Sequence, residues 1–225
     1  MKRYIASDLH NGNDVSDYDR VMSFLELVDD DADEFLILGD WEELLFSNMN
    51  ILTTAAPYKY VIQKVRDIAT RKPVFSIVGN HDWNLGLFAS LIEPVKIIPP
   101  FAENGVYFCH GHEFDWLSII TGTPVDPIFF KNAFPFLFPH GVAIWIINKW
   151  LGKEEDVYYW QRAVIHERVA AFGREKGYHS VAFAHTHYPT EELRGGIWLF
   201  NSGDMIDSYS YLFQSDGKIE RRSFA

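Results

Sequence analysis

Short apolar runs that stop at small or polar residues punctuate the chain. Tyr4-Ile5-Ala6-Ser7-Asp8, Phe35-Leu36-Ile37-Leu38-Gly39-Asp40, Val74-Phe75-Ser76-Ile77-Val78-Gly79-Asn80 and Val106-Tyr107-Phe108-Cys109-His110 each read as a buried strand. Between the first three runs the apolar period lengthens to that of a helix. Residues 17–29 place Val21, Phe24, Leu25 and Val28 on one face, and residues 54–71 do the same with Ile62, Val65, Ile68 and Ala69. Such alternation predicts an α/β fold. Later, residues 180–184, 196–201, 208–214 and 218–223 form four strand-like runs with little helix between them, which predicts an antiparallel second half and a sandwich of sheets flanked by helices. Residues 114–178 break the rhythm with a Pro-rich aromatic stretch followed by a helix from about residue 156 to 176. They are expected to form a cap inserted into a single domain spanning residues 1–225.

The chain has 225 residues, 48% of them hydrophobic, enough for one large core. Its formal charge of -11 excludes a protein whose main task is coating the phosphates of nucleic acid, because that affinity needs a basic face. The single cysteine, Cys109, forms no intrachain disulfide and fits a reducing compartment. Charge appears by Asp8, leaving no room for the apolar core of a signal peptide, and the longest apolar stretch, 133–147, is broken by Pro135, Pro139, His140 and Gly141. That stretch falls short of the ~18 residues a spanning helix needs. The expected location is therefore cytoplasmic.

Metal-capable side chains fall at the ends of the predicted strands. Asp8-Leu9-His10, Gly39-Asp40, Gly79-Asn80-His81-Asp82, His110-Gly111-His112 and His185-Thr186-His187 bring donors to the sheet edge where α/β proteins bind ligands. Six of the nine histidines lie in these five segments, which scattered placement would not produce. Residues i and i+2 of an extended segment point the same way, so Asp8 with His10, and His185 with His187, can share a target. Mixed Asp, Asn and His donors suit Mn, Fe or Zn, whereas an oxygen-only set would favour Mg or Ca and a structural zinc site would use cysteine.

In this order the motifs resemble those of the calcineurin-like metallophosphoesterase superfamily: Asp-x-His, Gly-Asp, Gly-Asn-His-Asp or Glu, His, then Gly-His-x-His. Ala184 replaces the last glycine, a small residue for a small residue. The likeness runs from Asp8 to Asn201-Ser202-Gly203-Asp204. It implies a four-layer α/β/β/α sandwich of two mixed sheets, and two divalent metal ions, with manganese expected and iron or zinc suited to the same donors. By position, one ion falls to Asp8, His10, Asp40 and His187, and the other to Asp40, Asn80, His110 and His185, with Asp40 bridging. The implied reaction is in-line attack on phosphorus by hydroxide activated between the ions. His81 takes the part of the group that contacts phosphate and protonates the leaving oxygen, with Asp82 orienting it. Either imidazole of His110-Gly111-His112 can be a ligand, and the family pattern favours His110. Trp41, Glu42 and Glu43 either shape the pocket and hydrogen-bond the ligands or begin a helix.

The apolar load of the insertion, from Pro127 to Ile147, reads as cap core, an oligomer interface or a greasy groove touching the inner face of a membrane. A cap of this position and character resembles the branch related to UDP-2,3-diacylglucosamine pyrophosphohydrolases, although those bacterial enzymes carry Arg where this chain has His81. The expected substrate is thus a small phosphomonoester, phosphodiester or pyrophosphate, with a lipid-linked or nucleotide-containing one favoured by the cap. Two alternatives come from the same superfamily: a nuclease, and a non-catalytic metal-binding scaffold for a protein partner.

Overall fold

The computed structural model describes residues 1–44, 47–115 and 154–224, the side chains of 154–161 excepted. The first sheet contains β1 (Lys2–Ala6), β2 (Glu34–Leu38), β3 (Val74–Ile77), β4 (Lys96–Ile97), β10 (Ser210–Ser215) and β11 (Lys218–Ser223), in the order β11-β10-β1-β2-β3-β4. Strands β1 to β4 run parallel, and β10 and β11 add an antiparallel edge. The second sheet orders β5 (Phe101–Glu103), β6 (Val106–Phe108), β7 (Ser180–Phe183), β9 (Ile197–Asn201) and β8 (Thr190–Arg194) as β5-β6-β7-β9-β8.

Three apolar clusters separate four layers. On the outer face of the first sheet, α1 (Tyr18–Asp31) and α3 (Tyr58–Arg71) bury Val21, Phe24, Leu25, Val61, Val65 and Ile68 against Tyr4, Ala6, Phe35 and Ile37. The alternate residues Ile5, Leu36 and Leu38 point the other way, into a cluster shared with Phe108, Ala182 and Leu212 between the sheets. Beyond the second sheet, α5 (Glu154–Lys176) packs Ile165, Val169 and Ala170 on Val181, Phe183, Ile197 and Leu199. The short helices α2 (Met49–Thr54) and α4 (Ala89–Ile92) complete the rim. Two buried faces explain why the strands read as unbroken apolar runs, and the four-layer mixed α/β sandwich agrees with the sequence expectation.

Three expectations need correction or restriction. The second half is not simply antiparallel, since β7 pairs in parallel with both β6 and β9. Helix α5 returns the chain to the starting end of the sheet after β6, so β7 must run the same way. The antiparallel partner of β9 is β8, whose sequence Thr-Glu-Glu-Leu-Arg carries no apolar run because it lies at an edge. The helix expected over 54–71 starts only at Tyr58, because Pro57 cannot donate a backbone hydrogen bond and caps α3, and a separate short helix, α2, ends at Thr54. Of the expected cap, α5 is described, whereas residues 116–153, with the aromatic stretch read as groove or membrane contact, lie outside the described residues. Among the described residues no helix is long and apolar enough to cross a membrane.

Phe24 is fully buried, its ring 5.2 Å from Tyr211 and 6.3 Å from Phe35. Phe24→Ala is expected to cost about 3–5 kcal/mol through lost burial and the cavity left behind, read as a lower urea midpoint, with cation affinity unchanged.

Candidate metal centre

The loops that leave β1 and β2 continue side by side past the ends of their strands. Asp8 N–H donates to Gly39 O (3.1 Å), His10 N–H to Asp40 O (3.0 Å), Asn11 N–H to Trp41 O (2.8 Å), and Glu43 N–H back to Asn11 O (2.9 Å). Asp8, His10, Asp40, His185 and His187 all adopt positive φ, between 45° and 69°. Non-glycine residues seldom sit there, and each costs on the order of 1 kcal/mol that the surroundings must supply. Such backbone strain concentrates at functional sites.

Three groups of donors result among the described residues; one is His10, Glu43 and His81, and the other two hold the predicted ligands. Asp8, His10 and His187 bring one atom each within 4.8 Å of one another, and so do Asp40, His110 and His185. In the first of these two Asp8 Oδ1 lies 3.3 Å from His187 Nε2 and 3.7 Å from His10 Nε2. In the second, His110 Nε2 lies 3.1 Å from Asp40 Oδ2 and 3.1 Å from Asn80 Oδ1. Two glycines make the approach of β2 to β3 feasible. A Cβ at Gly79 would collide with the Asp40 carboxylate, and one at Gly39, whose φ is +91°, would lie 2.6 Å from His110 Nδ1.

This donor set fits divalent cations. Asp8 Oδ1 is buried without a hydrogen-bond partner, an expensive state for a carboxylate oxygen unless a cation faces it. The outer nitrogens of three histidines are engaged as ligating imidazoles require. His10 Nδ1 meets Glu43 Oε2 (2.9 Å), His110 Nδ1 meets Leu38 O (2.6 Å), and His185 Nε2 meets Asp115 Oδ2 (3.2 Å). His187 Nδ1 faces Asp204 Oδ2 at 3.7 Å, and the other oxygen of Asp204 accepts from the backbone of Ile206, Asp207 and Ser208.

Every sequence-predicted ligand, Asp8, His10, Asp40, Asn80, His110, His185 and His187, is thus brought to one edge. His112 joins none of these groups; it stands 3.6 Å from Glu113 through Nδ1, and burial, then the charge of His110, lowers it to about 4. The expected pairing of His81 with Asp82 is replaced. His81 Nδ1 lies 3.0 and 2.9 Å from the two oxygens of Glu43, whereas buried Asp82 accepts from Gly79 N–H (2.6 Å) and Trp41 N–H (3.1 Å). Adjacent residues of a turn point apart, so Asp82 turns inward to tie the β2 and β3 loops while His81 faces outward. Glu43 sits on the loop stitched to Asn11, which is why it reaches both His10 and His81. Of the two readings offered for Glu43, hydrogen bonding to a predicted ligand is the one its contact with His10 matches, Asp204 closes the Asn201-Ser202-Gly203-Asp204 motif, and Asp115 has no signal beyond proximity to a motif. The mouth is a pocket of about 530 Å³ lined by His10, Asn13, Asp14, Glu43, His81 and His187, among others.

Electrostatics follow from this crowding. Burial raises Asp82 to about 7, helped by the charge of Asp40. Burial also pushes Glu42 well above the carboxylate range, and it takes a hydrogen bond from Asn11 Nδ2. For His10 and His110 burial opposes charge, yet Asp8 and Glu43 around His10, and Asp40 around His110, raise each to about 10. Burial alone would raise Glu43, Asp8 and Asp40, but His10 and His81 hold Glu43 at about 2, His187 and His10 hold Asp8 below its usual range, and His110 and His81 do the same for Asp40.

The sequence pattern of the calcineurin-like phosphoesterases matches residues 1–208. Among solved structures, the chain is similar to an archaeal phosphodiesterase, at 12% identity over 99% of each chain with a TM-score of 0.50, a likeness of fold. It is also similar to the Yfce phosphoesterase from E. coli, at 17% identity over 100% of each chain with a TM-score of 0.48. A third is Vps29 from Entamoeba histolytica complexed with zinc, at 13% identity over 100% of each chain with a TM-score of 0.46. No curated protein matches the chain.

The imidazoles set the pH dependence of the metal-free protein. Groups raised from 6.5 to about 10 contribute stability that is complete below 6.5 and lost as pH rises toward 10. Asp82, raised from 3.8 to about 7, adds a loss between those values, while Glu43, lowered from 4.5 to about 2, contributes stability lost as pH falls through that range. Thermal melts in chelator should therefore show a falling midpoint from pH 6.5 to 10, and added divalent cation should flatten that slope by taking the place of the protons.

Proposed function

The chain belongs to the calcineurin-like phosphoesterase family, and on that premise we propose that its pocket holds two divalent cations and hydrolyses phosphodiesters. The observation that carries the reading is that the predicted donors fall into two close groups, Asp8–His10–His187 and Asp40–His110–His185, with the aspartates and the first histidine of each buried. Asp8, His10 and His187 hold one ion, Asn80, His110 and His185 the other, and Asp40 is shared. Manganese suits this mixture of imidazole, carboxylate and amide, with iron or zinc fitting the same donors. When bound, the pair supplies positive charge to the phosphoryl oxygens and acidifies a water for attack on phosphorus.

The protein's own groups do the rest. Asp40 Oδ1 accepts from the His81 N–H at 2.7 Å, fixing that backbone beside the centre. Glu43 engages His81 Nδ1, and the proposed task of His81 Nε2 is to face a bound phosphate and give a proton to the departing oxygen. Asp82 acts through the backbone, keeping the β2 and β3 loops in register. The walls favour a diester: Asp14 and Glu43 are acidic, and no lysine or arginine is among the described residues of the lining. A dianionic monoester would set one more negative charge against them than a diester does. A lipid-linked or nucleotide-containing alcohol as the second ester group, with the insertion resting against a membrane, remains part of this proposal.

The test compares bis-p-nitrophenyl phosphate with p-nitrophenyl phosphate on metal-stripped protein before and after manganese. Manganese should restore activity, the diester should be the better substrate, and Asp40→Ala should abolish turnover of both. A preference for the monoester would overturn the diester assignment. Manganese uptake without turnover of either ester would favour the scaffold alternative. For His81→Ala, a poor leaving group should slow at least tenfold more than p-nitrophenolate, since only the poor one needs the proton.

A further inference from the structure

Of the three carboxylates that face imidazoles around the two donor groups, Asp115 is the one that no motif announces. It is 6% exposed, and its Oδ2 lies 3.2 Å from His185 Nε2. It ends a turn that starts at a proposed ligand: His110 is followed by Gly111 at φ +115°, then by a single 3-10 turn over His112–Phe114, with Asp115 N–H donating to His112 O (3.0 Å). One five-residue step thus delivers His110 to the centre and a carboxylate to the back of His185. The turn is docked on α5, where Arg168 Nη1 donates to Phe114 O (3.1 Å) and the Phe114 and Phe172 rings lie 5.2 Å apart.

The two imidazoles of this donor group are held through opposite nitrogens. His110 gives Nδ1–H to the Leu38 carbonyl and turns Nε2 toward Asp40, whereas His185 gives Nε2–H to Asp115. Only Nδ1 of His185 is then left as a lone-pair donor. His185 also sits at φ 69° and its side chain is 14% exposed, so the backbone alone does not choose its tautomer or ring angle.

We propose that Asp115 is a positioning residue: its carboxylate fixes His185 in the Nε2–H tautomer, so that Nδ1 faces the cation shared by Asp40, Asn80 and His110. The proposal rests on the reading of the pocket as a two-cation centre. Carboxylates placed behind ligating histidines orient the ring and raise its basicity, and their loss typically weakens metal binding about 10–100-fold. The effect should fall on one of the two ions, because the imidazoles of the other group, His10 and His187, have their own partners in Glu43 and Asp204.

The experiment titrates manganese alone into metal-stripped full-length protein, wild type, Asp115→Ala and Asp115→Asn, by calorimetry, with the His185 tautomer read from long-range nitrogen–proton NMR of the zinc-loaded proteins. Wild type should take up two ions. Asp115→Ala should keep one at its wild-type Kd and bind the second about 10–100-fold more weakly, with the thermal midpoint of the metal-free protein unchanged and the Nε2–H signature lost. Asp115→Asn, which keeps an acceptor without the charge, should fall between them. Two ions at wild-type Kd in Asp115→Ala would overturn the proposal alone. So would equal weakening of both ions together with a lowered melting point, which marks a merely structural residue. Fewer than two ions in wild type would overturn the reading of the centre itself.

Discussion

Like charges packed out of water govern this molecule. Asp8, Asp40 and Asp82 are each no more than 1% exposed, and they lie side by side where β1, β2 and β3 end. A buried carboxylate without compensation costs several kcal/mol, and three together cost more, so every nearby group is arranged to answer them. Backbone N–H groups answer Asp82, imidazoles answer Asp8 and Asp40, and Glu42 takes a hydrogen bond from Asn11 while burial raises its pKa. In the metal-free chain the raised imidazoles favour the charged form that answers them, which is the role the proposed divalent ions would assume. Affinity for metal and the unease of the empty centre are one quantity seen from two sides.

The four layers supply the stiffness this arrangement needs. Parallel strands expose their carboxyl ends at a common edge, and the clusters on both faces of the first sheet lock β1, β2 and β3 in register. The second sheet reaches the same edge by another route, through the return of α5 from β6 to β7, so His110 and His185 arrive on neighbouring parallel strands. Loops bearing the donors are therefore short extensions of buried strands.

That economy is why so much was legible. A strand buried on both faces is an unbroken apolar run, and its end is marked by the first Asp or His, so strand position and donor position were read together. What escaped had partners distant in the chain. Glu43 itself was among the named neighbours, but its meeting with His81 follows from the β1 and β2 loops pairing beyond their strands, which adjacency along the sequence cannot reveal, and the pairing of Asp82 with His81 fails for the same reason. Strand β8 hid because an edge strand needs no apolar run, and the parallel pairing of β7 with β9 depends on which strand fills the gap beside it. Pro57 was visible in the sequence, but its effect depended on a helix ending there.

The positive φ of Asp8, His10, Asp40, His185 and His187 bears on how such a site is kept over time. Glycine occupies that backbone without steric penalty, so at each of these positions it would relieve on the order of 1 kcal/mol of local strain while deleting a proposed metal donor. Removing Asp8 or Asp40 would also lift part of the charge crowding. Random substitution filtered for folding alone therefore runs downhill toward a stable protein with an empty pocket. On the proposed reading, demand for the bound ions is what opposes that drift.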